Sequence, residues 1–158
     1  MIRIRLLTAA YLFNSNHVLL LKRSKERQLA ADLWTGIGGH IENGELNEPE
    51  TSCFREIFEE TNICESKIEN LKLRYIILRK EKDEIRQHYI YFGNTSQWTT
   101  VDSDEGQLHW VPLADVTSLE MPLSVKYMFG HFLTRANEEQ IFIGTINGLE
   151  INWTQLDD

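Results

Sequence analysis

Pro49-Glu50-Thr51-Ser52-Cys53-Phe54-Arg55-Glu56-Ile57-Phe58-Glu59-Glu60-Thr61-Asn62 is the stretch whose reading decides the fold. Proline suits the first turn of a helix, where its missing N–H is not needed, and Asn47 or Glu48 can cap before it. The helix is expected to run to about Thr61. Set Glu56 at zero on a helical wheel. At about 100° per residue, Glu60 lies near about 40° and Glu59 near about 300°, so three carboxylates share one face. Phe54, Ile57, Phe58 and Thr61 fall on the opposite face, which is the expected core stripe. Like charges at this spacing repel by a few tenths of a kcal/mol per pair, and only Arg55, four residues before Glu59, compensates locally. Such a face reads either as a solvated surface or as a site for a hard cation. Carboxylate oxygens converging from one rigid face suit magnesium or manganese, which take oxygen ligands and then grip phosphate.

The residues upstream favour the cation. Trp34-Thr35-Gly36-Ile37-Gly38-Gly39-His40-Ile41 is rich in glycine, which permits close backbone approach. An acidic run (Glu42, Glu45, Glu48) follows, and then the helix. This order lets a backbone carbonyl near Gly39 join the glutamates around one metal.

The rest of the chain supplies strands and a second helix. Residues 1–13 and His17 to Arg23 read as strands around an Asn-Ser-Asn turn, and Ser24 to Leu33 as a polar loop. Leu71 to Lys80 and Arg86 to Asn94 read as a strand pair, and Gln107 to Val111 as a short strand. Pro122 to Ala136 has helical apolar spacing at Val125, Met128, Phe129, Phe132 and Leu133. Gln140 to Trp153 reads as a hairpin on the turn pair Asn147-Gly148. The expectation is a single α/β (α+β) domain over all 158 residues.

Composition is ordinary for a globular protein, with 42% hydrophobic and 25% charged residues. The net charge of -8 argues against nucleic-acid backbones as partners. It also means that a cation must neutralise an acidic site before a phosphate enters. Two cysteines, Cys53 and Cys64, make no disulfide framework and read as reduced thiols of a cytoplasmic protein. No stretch is apolar for long enough to span a membrane.

Gly39, five residues, Glu45, and then Arg55-Glu56-Ile57-x-Glu59-Glu60-x-Asn62-Ile63 resemble the Nudix box. The resemblance implies an α/β/α sandwich with a mixed central sheet. It implies magnesium-dependent (or manganese-dependent) hydrolysis of a nucleoside diphosphate linked to a group X. Glu56, Glu59 and Glu60 become metal ligands, joined by the Gly39 carbonyl, and Arg55 the residue that positions a carboxylate. A further acid is expected from the segment before Trp110, with Glu105 the choice. Lys22 or Arg23 would reach a substrate phosphate, and Trp34 could stack on a base. Tyr89, Tyr91, His40 and His88 read more readily as packing or polar surface, and Cys53 as packing. The Nudix box usually places seven residues between its first glutamate and its arginine; here nine separate Glu45 from Arg55. The extra residues fall at about Leu46 to Glu48 and leave the role of Glu45 open. Asn62 replaces a glycine and can still adopt a left-handed cap.

The run Trp34 to Gly39 and the Ser103-Asp104-Glu105 segment resemble the MutT-like branch. This implies a nucleoside triphosphate substrate, among them an oxidised purine such as 8-oxo-dGTP. A nucleotide sugar of the ADP-ribose type suits the same chemistry, and a non-catalytic nucleotide sensor suits the same fold. The resemblance also admits a homodimer.

Overall fold

The computed structural model describes residues 1–27, 30–98, 101–135 and 139–156. It begins with a hairpin, β1 (Arg3–Asn14) and β2 (His17–Arg23). Ser15 and Asn16 both take positive φ (47° and 62°), as a twisted two-residue hairpin turn requires. The glycine run carries two short strands, β3 (Trp34–Thr35) and β4 (Ile37–His40). Helix α1 (Pro49–Thr61) has the expected limits. Asn62 ends it in the left-handed conformation, its N–H bonded to the Phe58 carbonyl. β5 (Glu69–Glu81) and β6 (Glu84–Asn94) follow, then β7 (Asp102–Ser103), β8 (Gly106–Pro112), α2 (Leu123–Thr134), β9 (Phe142–Asn147) and β10 (Glu150–Gln155). The last turn falls one residue later than the Asn147-Gly148 reading, because Asn147 pairs with Glu150. That register puts the positive φ of Gly148 (62°) at the first turn position.

The strands form one mixed sheet in the order β10-β9-β5-β6-β1-β2-β8-β7, with β3 joined to β2 and β4 to β1. Its spine is the parallel pair β1–β6, in register from Arg3↔Glu84 to Phe13↔Asn94. Alternation along β1 splits the core into two layers. Ala10 and Leu12 pack with Cys53 and Ile57 of α1. Tyr11 packs with Met128 and Phe129 of α2. The sheet is thus sandwiched between the two helices, and none of the helices among the described residues is long and apolar enough to cross a membrane.

One expectation about α1 is overturned. Phe58 is half exposed, and the buried positions are Ser52, Cys53, Ile57, Glu60 and Thr61. The buried stripe is rotated toward the carboxylate side, so Glu60 lies inside it. β4 approaches this edge of the helix closely at Gly39, where an added side chain would run into Glu56. On its other side β4 lies against β1, and a side chain at Gly38 would overlap the Thr8 carbonyl and the Ala9 Cα.

Gly38→Ala should therefore lower the melting temperature by about 3–10 °C, the overpacking range for a clash against backbone. Gly130→Ala, which meets nothing within 4 Å inside α2, should match or exceed the native melting temperature in the same calorimetric scan.

Candidate functional site

α1, β4 and the turn between them converge on one side chain. Arg55 donates from Nε to Glu45 Oε2 at 2.8 Å and from Nη2 to Glu45 Oε1 at 2.9 Å. Its Nη1 donates to Glu56 Oε1 at 2.9 Å and to Glu59 Oε2 at 3.3 Å. Nη2 also reaches the His40 carbonyl at 3.1 Å. Glu45 ends a short 3-10 turn, Asn43–Glu45, and accepts the Glu42 N–H at 3.0 Å. Despite the longer loop, Glu45 pairs with Arg55. That pairing holds the Glu45 carboxyl down at about 2.

Glu56 and Glu60 sit deeper. A methyl group at Gly39 would run into the Glu56 carboxylate, so only glycine leaves room for it. Burial raises the Glu56 carboxyl, against the opposing pull of Arg55. Glu60 is 6% exposed, and its Oε2 is buried with no hydrogen-bond partner among the described residues. Burial first, then the neighbouring Glu105 and Glu56 carboxylates, push it up to about 8, while the Gly38 backbone and Arg23 pull the other way. Glu59 stands at the rim with its side chain 55% exposed.

Glu105 approaches from the β7–β8 turn and is held at 3.3 Å by Arg27 and at 3.8 Å by Arg23. The structure thus brings Gly39, Arg55, Glu56, Glu60, Glu105 and Arg23 together, with Glu59 alongside. Lys22 and Trp34 lie on the other face of β2. There Lys22 pairs with Asp32 at 3.6 Å and lies 5.8 Å from the Trp34 ring centre. Trp34 itself packs against the α2-side core. Tyr91 is buried and Tyr89 packs in the α1-side layer; Cys53 is buried and Cys64 exposed. Beside Glu105 opens a cleft of about 630 Å³, lined by Lys22, Arg23, Lys25, Asp32, Asp104 and Gln107.

Two partners escaped sequence reading: Ser52, 3.3 Å from Arg55, and Arg27. A basic residue in a polar loop carries no local signal of a partner 78 positions away.

No three acidic, histidine or cysteine side chains among the described residues are already gathered as a metal cage. Two observations nonetheless fit a divalent cation: the orphaned Glu60 oxygen, and the Gly39 gap that a side chain would fill against Glu56. An all-oxygen donor set suits a hard ion.

The NUDIX domain model matches residues 4–131. The chain belongs to the Nudix family. Its class is therefore that of a Nudix-type pyrophosphohydrolase. Solved structures share the fold. A MutT protein from Bacillus halodurans is 22% identical, with a TM-score of 0.69, covering 96% of this chain and 97% of its own. The NUDIX domain of Shewanella oneidensis NrtR, complexed with ADP ribose, is 19% identical with a TM-score of 0.64, covering 87% and 90%. A Caenorhabditis elegans Ap4A hydrolase is 18% identical with a TM-score of 0.64, covering 85% and 98%.

Glu45 and Glu60 make opposite predictions with pH. Glu45 binds fewer protons in the native state, so its contribution is complete above about 4.5 and is lost as pH falls toward about 2. Native Glu60 keeps its proton up to about 8 whereas the unfolded group loses it near 4.5, so stability falls as pH rises between those values. In EDTA, Glu60→Gln should flatten the decline in melting temperature across that window; an unchanged decline would show that Glu60 ionises freely in the folded chain.

Proposed function

We propose that the chain hydrolyses the diphosphate linkage of a nucleoside diphosphate-X substrate, with a nucleoside triphosphate as the leading candidate. The observation that carries this is the buried, unpartnered Glu60 oxygen, set among Glu56, Glu105 and the glycine backbone of β4. Glu56, Glu59, Glu60 and the Gly39 carbonyl would hold magnesium or manganese. Such an ion supplies charge neutralisation at phosphate oxygens and a more acidic water.

The protein's own groups do the rest. Arg55, locked by Glu45, aims the Glu56 carboxylate. Arg23, beside Glu60 and Glu105, is placed to donate to a substrate phosphate. Glu105 is the candidate to take a proton from the attacking water, because it lies next to the carboxylates but is not on their helix. Lys22 and Trp34, on the opposite face of β2, would meet the nucleoside rather than the diphosphate.

The start of α2 qualifies the substrate. Residues 121–128 contain no carboxylate. Some members of the MutT-like branch read the base with acidic residues near the start of this helix, and residues 121–128 supply none, which keeps a nucleotide sugar of the ADP-ribose type as the second reading. A pure sensor is disfavoured because Glu56, Glu59 and Glu60 are all retained.

Released phosphate or pyrophosphate should be measured for nucleoside triphosphates, 8-oxo-dGTP and ADP-ribose with magnesium. Turnover of at least one is expected. Nucleotide binding without any turnover would overturn the enzymatic reading. Glu59→Gln should lower kcat by more than about a hundredfold and leave the melting temperature unchanged or slightly higher, since Glu59 is exposed and its like-charge repulsion is relieved.

A further inference from the structure

Three arginines lie side by side at one end of the sheet. Arg5 of β1 is directly opposite Arg86 of β6, and Arg86 is directly opposite Arg79 of β5. Residues directly opposite one another share a face. It is the α2 face, because Ile77 and Ile90 continue the same alternation into the α2-side core. The carboxylate cluster, seated between β4 and α1, is on the other side.

Adjacent strands are about 4.8 Å apart, and like charges placed opposite one another destabilise a sheet. Two carboxylates offset the repulsion. Glu84 is 2.7 Å from Arg5 Nε and 2.7 Å from Arg86 Nε. Glu81 is 3.1 Å from Arg79 Nε and 3.8 Å from Arg86 Nη1. Three cations against two anions leave the row net positive in a chain of net charge -8. The short contacts all use Nε. Among the described residues, no terminal guanidinium nitrogen of the three donates a hydrogen bond. The side chains remain reachable, with 44%, 28% and 35% exposure for Arg5, Arg86 and Arg79. Glu84, at 9%, is a fixed anchor beneath them. His88 continues the row toward the core on the same face, and its Nδ1 is buried without a partner among the described residues.

We propose that this arginine row is a second anion site, which binds a phosphoryl or diphosphate group without metal. Planar guanidinium ends match phosphate oxygens in pairs. Neighbours one strand apart can hold a single phosphoryl group or two linked ones. The site is independent of the proposed hydrolysis. Its phosphate comes either from a bound nucleotide or from free anion.

Calorimetric titration of the metal-free chain in EDTA, with pyrophosphate and separately with ADP, tests it. Arg79→Gln and Arg86→Gln should each weaken binding by about tenfold or more, and Lys67→Gln, at an exposed lysine remote from both sites, should bind like the native chain. Should Arg86→Gln fail to fold, Arg79→Gln decides, since its ion pair among the described residues is with Glu81 alone. Tighter binding of ADP than of pyrophosphate assigns the phosphate to a nucleotide; the reverse assigns it to free anion. Absence of binding by either ligand, or binding unaffected by both arginine substitutions, overturns the proposal.

Discussion

One guanidinium organises the region where the chemistry is expected. Arg55 ties the 3-10 turn through Glu45, the strand β4 through the His40 carbonyl, and its own helix through Glu56 and Glu59. Three separately folded pieces therefore share one hydrogen-bonding centre. Without it, the partly buried Glu56 carboxylate would lose its counter-charge, costing about 1–3 kcal/mol. The pairing with Glu45 is the bidentate kind, which fixes orientation as well as distance. Glu56 can be aimed only because Arg55 cannot turn.

Around that centre the three helix carboxylates occupy three different environments. Glu59 is in water, Glu56 is braced by a cation, and Glu60 is buried without a full set of partners. Burial raises the proton affinity of Glu56 and Glu60, because the sheet presses against that edge of the face. A divalent ion would find one flexible ligand, one rigid ligand and one that gains most from being paired. Strand β2 adds a further division, because Arg23 faces the carboxylates while Lys22 and Trp34 face away.

Much of this was legible because it is local. Ser15-Asn16, Pro49 and Asn62 place their elements through turn and cap chemistry that depends on a few neighbouring residues. Asn147-Gly148 was legible as a turn but not in its register, which is set by pairing with β10. β3, β4 and β7 are too short to show a period. Phe58 was misplaced because a wheel gives directions around a helix but not which direction the sheet occupies. Glu45 and Arg55 are ten positions apart, and Arg27 and Glu105 are 78 apart. Contacts of that kind are decided by how the elements dock. Gly39 and the three glutamates, by contrast, stood out through their spacing.

The two additional residues between Glu45 and Arg55 have a consequence for how such a chain can vary. They lie where Gly44 meets nothing within 4 Å and Leu46 is 60% exposed, between two anchors held together by the guanidinium. Lengthening a closed segment from about seven to about nine residues costs only a few tenths of a kcal/mol in closure entropy. Length is therefore almost free at this bend, whereas a few residues earlier, at Gly38, a single added carbon atom meets backbone. Descent can lengthen or shorten this bend and alter the outer surface without moving the helix carboxylates.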